Sequence, residues 1–278
     1  VVTSRGCTHR CTFCAVHQTM GRGWRAQSAE LVTRHLNQLA RSFGTKHVHF
    51  EDDNLLHDIG RFDAIVAALT DLDLTWDTPN GVRVDLRLTE ERLARMRRSG
   101  CRSLHVGVES GDPDVLTRSI RKGIRLDHVV ELARRCRVAG IPLRAFFMLG
   151  MPGETPASLQ RTSSFALALL RDHGVEPIPL LATPLPGTEL HRHCQDQGLL
   201  ARAVHAETLT DSIEPEGHGL IRTASLAPAD VERCARDLTS HAYRIMLARG
   251  LRHPIRTIRR VGTLPWALRA LRRLAGGR

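Results

Sequence analysis

The chain has 278 residues, of which 42% are apolar and 25% charged, room for one large α/β domain or two small ones and too ordinary a composition for a disordered or fibrous protein. The net charge is +11, yet the stretch from Thr239 to Arg278 holds ten Arg and no Asp or Glu, so a near-neutral body carries a basic tail. No run approaches the roughly 18 apolar residues of a membrane span, and no apolar leader with a cleavage site opens the chain. The expectation is a cytoplasmic protein whose tail makes it membrane-peripheral, and a start without Met suggests a piece of something longer.

Short apolar strands and amphipathic helices alternate along the first two hundred residues. Val1–Thr3 is the end of a first strand. Ser28 caps a helix with Leu31, Leu36, Leu39 and Ala40 on one face, closed by Gly44. His47–Phe50 is a second strand, followed by Glu51-Asp52-Asp53-Asn54, a helix over Phe62–Leu72 and a third strand over Leu74–Thr78. Thr89 caps a helix ending at Gly100, and Ser103–Val108 runs into Glu109-Ser110-Gly111. Asp127 caps a helix ending at Gly140, and Leu143–Leu149 runs into Gly150-Met151-Pro152-Gly153-Glu154. Thr155 and Pro156 open the next helix, which stops near Gly174, and Glu176–Ala182 is a sixth strand. A short helix then reaches Gly198.

Six strands alternating with helices predict a parallel sheet with right-handed crossovers. The strands read as apolar on both faces, as burial on both sides requires. An open doubly wound sheet and a partial barrel both fit, and in either the residues after each strand gather at one rim. Beyond Leu200 the rhythm fails: Ala201–Ser225 reads as an irregular cap, Pro228–Arg249 as a helix, and Thr263-Leu264-Pro265 as the start of a last one. The expected division is 1–200 for the core and 201–278 for the cap and basic extension.

Three of the seven cysteines, Cys7, Cys11 and Cys14, fall in a Cys-x3-Cys-x2-Cys run just after the first strand. Three thiolates on one short loop can hold a zinc ion, with His9 or His17 as a fourth ligand. They can equally hold a [4Fe–4S] cubane with one iron left open. Zinc sites usually add a second Cys pair far along the chain, and Cys101, Cys136, Cys194 and Cys234 stand singly, so the open-iron cubane is favoured.

With Phe13 just before the last cysteine, this run resembles the signature of the radical S-adenosylmethionine (radical SAM) enzymes. The resemblance implies an α/β fold, a partial (β/α)6 TIM-like barrel with a C-terminal helical extension. It also implies a cluster on Cys7, Cys11 and Cys14 whose open iron is chelated by the amino and carboxylate groups of SAM. One electron passed to the sulfonium then gives methionine and a 5′-deoxyadenosyl radical that takes hydrogen from a substrate.

Carried over position by position, Glu51, Asp52 and Asp53 would receive the SAM amino group. Asn80 and Arg83 would contact SAM or substrate, and Glu109 and Ser110 the ribose. Gly150 and its neighbours would pack on the adenine, with Thr183 lining the same pocket. Asp52 or Asp53 could instead cap a turn, and Glu109 could pair with an arginine.

Thr-Ser-Arg-Gly-Cys, His-Phe-Glu-Asp-Asp-Asn and Ala-Thr-Pro-Leu-Pro-Gly-Thr together resemble the cobalamin-dependent branch, many of whose members are methylases. Its cobalamin-binding domain would precede Val1 and is missing here. The resemblance implies cobalamin in the full-length protein, a small-molecule or lipid-like substrate, and a reductant such as flavodoxin or ferredoxin. A neighbouring branch, the methylthiotransferases, is the alternative within the family. From another class comes a zinc-stabilised module binding nucleic acid or lipid. The tail from His253 to Arg278 suits an anionic membrane surface or an acidic partner domain, or else packs on the barrel with its arginines in solvent. Nucleic acid is disfavoured, because Trp266 is the sole aromatic in that segment.

Overall fold

The computed structural model of the chain describes residues 1–213 and 217–252. A short antiparallel pair comes first, β1 (Ser4–Arg5) with β2 (Arg25–Ala26), enclosing the cysteine loop and α1 (Val16–Thr19). Then α2 (Ala29–Phe43), β3 (His47–His49), α3 (Ile59–Thr70), β4 (Thr75–Val82), α4 (Glu90–Arg98) and β5 (Cys101–Glu109) alternate. A π-helical turn at Val115–Ile120 precedes α5 (Leu126–Ala139), β6 (Leu143–Leu149), α6 (Pro156–His173) and β7 (Glu176–Leu181). Strands β3 to β7 form one parallel sheet in chain order. That order lacks the reversal that defines a doubly wound sheet, and it leaves the partial barrel. The remaining helices are α7 (Glu189–Asp196), α8 (Ala206–Ile213) and α9 (Pro228–Arg252), the last packed on β7 and α6.

The sheet has five strands where six were expected. Val1 does make the two backbone bonds of a parallel neighbour: its nitrogen donates to His49 O at 2.6 Å and its carbonyl accepts from Glu51 N at 2.9 Å. The chain then leaves the sheet, because the buried Asp52 carboxylate collects the Thr3 amide and the Thr3 and Ser4 hydroxyls. Ser4 and Arg5 pair with β2 instead.

Ser28, Thr89 and Thr155 cap their helices as expected. Asp127 does not: Arg125 holds the N-cap position of α5, and Asp127 sits in the first turn paired with that arginine. Helix α3 begins at Ile59 rather than Phe62, because Asp58 caps it by accepting from the Arg61 amide. Strand β4 continues past Thr78 through Pro79-Asn80-Gly81 to Val82. Helix α8 forms inside the stretch read as irregular. The expected last helix and the basic tail from His253 lie outside the described residues.

The strands are not apolar on both faces. Val48, Trp76, Leu104, Val106, Ala145 and Phe147 turn to the helices and join α2, α3, α4 and α5 in the main core. The alternate positions, among them His47, His49, Asp77, His105 and Arg144, face the other way. The helix-covered face carries the apolar core, while the other face mixes polar and apolar side chains, some of them buried.

At Gly100 the turn from α4 into β5 takes φ +94°, and an added Cβ would lie 2.2 Å from the Leu74 carbonyl oxygen. Gly100→Ala is therefore expected to lower unfolding free energy by at least about 2 kcal/mol, read as a lower urea midpoint at unchanged slope.

Candidate active site

The cysteine loop is held at its start and in the middle. Gly6, just before Cys7, donates its amide to Asp53 Oδ2 at 2.7 Å. Asn54 Nδ2 approaches Cys7 Sγ at 3.7 Å, and its carbonyl accepts from the Trp24 indole at 3.1 Å. Midway, the buried Thr12 is clamped three ways: its amide donates to Ile120 O, its hydroxyl to Ser119 O, and its carbonyl accepts from Leu190 N. The loop thus spans from the end of β3 to the π-helical turn and α7. Burial pushes the Cys11 thiol up to about 11 and raises that of Cys14, while the Lys122 ammonium pulls both down.

Lys122 is a positive charge that bears on both Cys11 and Cys14. Its Nζ lies 2.5 Å from Glu109 Oε1, and both side chains are almost fully buried. Glu109 adopts φ +71°, an uncommon conformation for a residue with a side chain, where the β5–β6 register shifts. Gly107 leaves space for the pair: a Cβ there would meet Lys122 Nζ at 2.2 Å and Glu109 Oε1 at 2.3 Å. Arg83 hydrogen-bonds the carbonyls of Lys122 and Gly123. Its charge and that of Lys122 bear on Cys11 and on His9.

The other expected residues divide by what their side chains already do. Asp52 is fully engaged with Thr3 and Ser4, so it anchors the loop instead of offering a carboxylate to a ligand. Ser110 is buried against Thr162 and accepts from the Asp112 amide, a turn-stabilising role. Asn80 donates to the Glu51 carbonyl, while the Glu51 side chain is exposed at the rim. Gly150 and Met151 donate their amides to the buried Glu154 Oε2. Phe13 packs on a cluster containing Met148, Met151, Ala182 and Leu190. Thr183 bonds Ser212 of α8 at 3.0 Å.

Lys122, Thr12 and the bonding roles of Asn54 and Glu154 went unread in the sequence. One signal for Lys122 was available: the chain has only two lysines among 40 basic residues, so a lysine here marks a departure from its habit of using arginine.

The donor set fits a cubane better than a single ion. Tetrahedral zinc with bonds of about 2.3 Å holds its sulfur ligands about 3.8 Å apart. Among the described residues, the Cys, His, Asp and Glu trios whose ligand atoms all lie within 4.8 Å do not include the three thiols. His17 turns Nε2 to the His9 carbonyl at 2.5 Å. Three thiols not drawn into one ion's shell suit an iron–sulfur cube with one open corner.

A parallel α/β sheet with three cysteines on the loop that precedes it is the arrangement an iron–sulfur enzyme of the SAM-cleaving class would use. The model of the radical SAM superfamily matches residues 1–166, and the chain belongs to that superfamily, whose domain holds a [4Fe–4S] cluster and SAM. Cytidylyl-2-hydroxyethylphosphonate methyltransferase of Streptomyces wedmorensis is 31% identical over 205 residues, covering 71% of this chain and 38% of that protein. A tRNA-2-methylthio-N(6)-dimethylallyladenosine synthase of Thermus thermophilus is 28% identical over 228 residues, covering 78% of this chain and 46% of that one. In fold, the chain is similar to the radical SAM methyltransferase TsrM of Kitasatospora setae, solved with cobalamin and a [4Fe–4S] cluster, at TM-score 0.62 and 20% identity over 84% of this chain and 46% of that one. The chain spans less than half the length of each of these proteins. No helix among the described residues is long and apolar enough to cross a membrane.

Burial pushes the Glu154 carboxyl up to about 7 from an ordinary 4.5. Between those pH values the folded chain keeps a proton that the unfolded chain releases, so stability falls as pH rises through this window and levels off above it. The shift corresponds to a change on the order of 3 kcal/mol. Glu154→Gln keeps an acceptor for the Gly150 and Met151 amides and removes the titration. Urea midpoints at pH 5 and pH 8 should differ less in this variant than in the parent.

Proposed function

We propose that this chain is the catalytic barrel of a cobalamin-dependent radical SAM methyltransferase that methylates a small organic or lipid-like molecule. The observation that carries the reading is the cysteine loop, fixed at three points of the rim beside the buried Lys122–Glu109 pair. The kinship with a methyltransferase at 31% identity supports the choice of branch.

Cys7, Cys11 and Cys14 would hold the cluster. When bound, it supplies the electron that splits SAM into methionine and a 5′-deoxyadenosyl radical able to take hydrogen from carbon. The chain's own groups do the positioning. Lys122 and Arg83 offer positive charge to the SAM carboxylate, and Asp53 and Glu51 offer acceptors to its ammonium. Glu109 accepts from the ribose, and Phe13, Met148, Met151 and Ala182 give the adenine an apolar wall beside Gly150 and Thr183. Asp52, Ser110 and Asn80 act through the backbone they hold and are positioning residues. The concave face of the sheet receives the substrate.

Cobalamin would come from a further domain of the full-length protein, and the electron from a flavodoxin- or ferredoxin-like donor in the reducing cytoplasm. On this reading 1–200 is the working barrel, and 201–278 its cap and extension. The similarity to a methylthio-transferring enzyme over 78% of the chain keeps a second reading, insertion of a methylthio group. Full-length protein given SAM with a labelled methyl group separates the two by whether the product gains sulfur.

Replacing Cys7, Cys11 or Cys14 with Ala should abolish the brown chromophore and 5′-deoxyadenosine formation, while Cys101→Ala keeps both. Lys122→Met should weaken SAM binding by about ten- to a hundredfold, the loss of one hydrogen bond to a charged group, with iron content unchanged. Stoichiometric zinc without iron after anaerobic reconstitution would falsify the proposal.

A further inference from the structure

We propose a second metal centre, for a divalent ion of the zinc type, formed by His47 and His49 of β3 and Asp77 of β4 on the concave face of the sheet. Strand alternation puts both histidines on one face, and the parallel register sets Asp77 directly beside His49 and Thr75 beside His47. The candidate ligand atoms of the three residues all lie within 4.8 Å of one another. His47 Nε2 is 3.4 Å from Asp77 Oδ2, while His49 Nδ1 is hydrogen-bonded to Asp77 Oδ1 at 2.5 Å, a bond that an ion would replace. Nitrogen and oxygen ligands about 2.1 Å from a tetrahedral ion lie about 3.4 Å apart.

The surroundings of His47 point the same way. Its Nδ1 lies 2.8 Å from Thr75 Oγ1, within hydrogen-bond distance, which leaves Nε2 turned toward Asp77 Oδ2. The Thr75 bond is also what a metal-bound imidazole ordinarily has, a partner on the other ring nitrogen fixing its tautomer and direction.

The trio is partly open: the side chains of His47, His49 and Asp77 keep 34%, 53% and 16% of their surface exposed. Three protein ligands and an open side leave a coordination position for an oxygen or nitrogen of a bound molecule, the arrangement of an ion that works on a ligand instead of stapling a fold. The site uses no residue of the cysteine loop, so it stands whether or not the reading of that loop holds.

Cobalt(II), a coloured stand-in for zinc, tests the idea on the cluster-loaded chain under anaerobic conditions. We expect one equivalent to bind at micromolar concentration, with ligand-field bands and no thiolate charge-transfer band. His49→Ala and Asp77→Asn should each weaken binding by about a hundredfold, and Thr75→Val by about tenfold, since it removes only the group that orients His47. Circular dichroism and thermal melting of the metal-free variants verify that each is folded, and Thr75→Val serves if a ligand variant is not. Absence of binding at about 100 µM, a thiolate band, or equal affinity in parent and folded variants would overturn the proposal and leave three solvated residues sharing a proton.

Discussion

Asp52 and Asp53, at the C-terminal end of β3, bond the Thr3 amide, the Thr3 and Ser4 hydroxyls and the Gly6 amide. Hydrogen bonds to a charged acceptor contribute about 1.5–3 kcal/mol each, and here they fix the point at which the chain leaves the sheet edge. The cysteine loop starts from that point. Its far side is held by Thr12, through Ser119, Ile120 and Leu190. A loop tied to the segment after β3, to the π-helical turn and to α7 is fixed relative to all three, so the thiols are positioned against the strand ends of the rim. The same bonds explain why the sheet has five strands: the backbone that would have extended the sixth is bonded to Asp52.

The Lys122–Glu109 pair is weak evidence of a stabilising role. Removing two charges from water costs several kcal/mol per ion, and mutual attraction often recovers only part of it. Glu109 adds the strain of a positive φ, and Gly107 gives up a side chain so that the pair has space. Three local sacrifices at one point of one strand are hard to explain by folding. They are explained if the pair faces a polar ligand, with the ammonium of Lys122 meeting a carboxylate and the carboxylate of Glu109 meeting hydroxyls. The neighbouring cations Lys122 and Arg83 also lower the cost of gathering thiolates whose burial favours the protonated form.

The elements that were legible in the sequence have local causes. Ser28, Thr89 and Thr155 cap because a hydroxyl three residues before an orphan amide needs nothing from elsewhere in the fold. The spacing of Cys7, Cys11 and Cys14 is likewise a property of one loop. The failures involve partners far away in sequence. Asp127 had the composition of a cap, but Arg125 claimed it. Asp52 read as a ligand-facing carboxylate, and only the return of the first residues to the end of β3 shows it occupied. Lys122 lies 13 residues beyond Glu109 and reaches it because the π-helical turn brings the chain back over the strand. The reading of strands as apolar on both faces failed for another reason: it treated His47, His49 and His105 as incidental.

Those residues give the sheet two unlike sides. Facing the helices, Trp76, Leu104, Val106 and Phe147 are at most 1% exposed and supply the cohesion of the fold. Facing away, His105 is buried enough that its pKa is pushed down to about 4, with Arg144 beside it adding to the effect. It stays neutral at any ordinary pH, stacked on Phe146. A row of imidazoles, a carboxylate and a guanidinium buries little apolar area, so hydrophobic stability does not account for it. Its members sit on a scaffold rigid from the other side, below a rim that carries the cysteine loop. Polar groups held on rigid strands around a concavity are placed to meet a ligand, and the division of labour between the two faces lets the inner one be polar without loss of the fold.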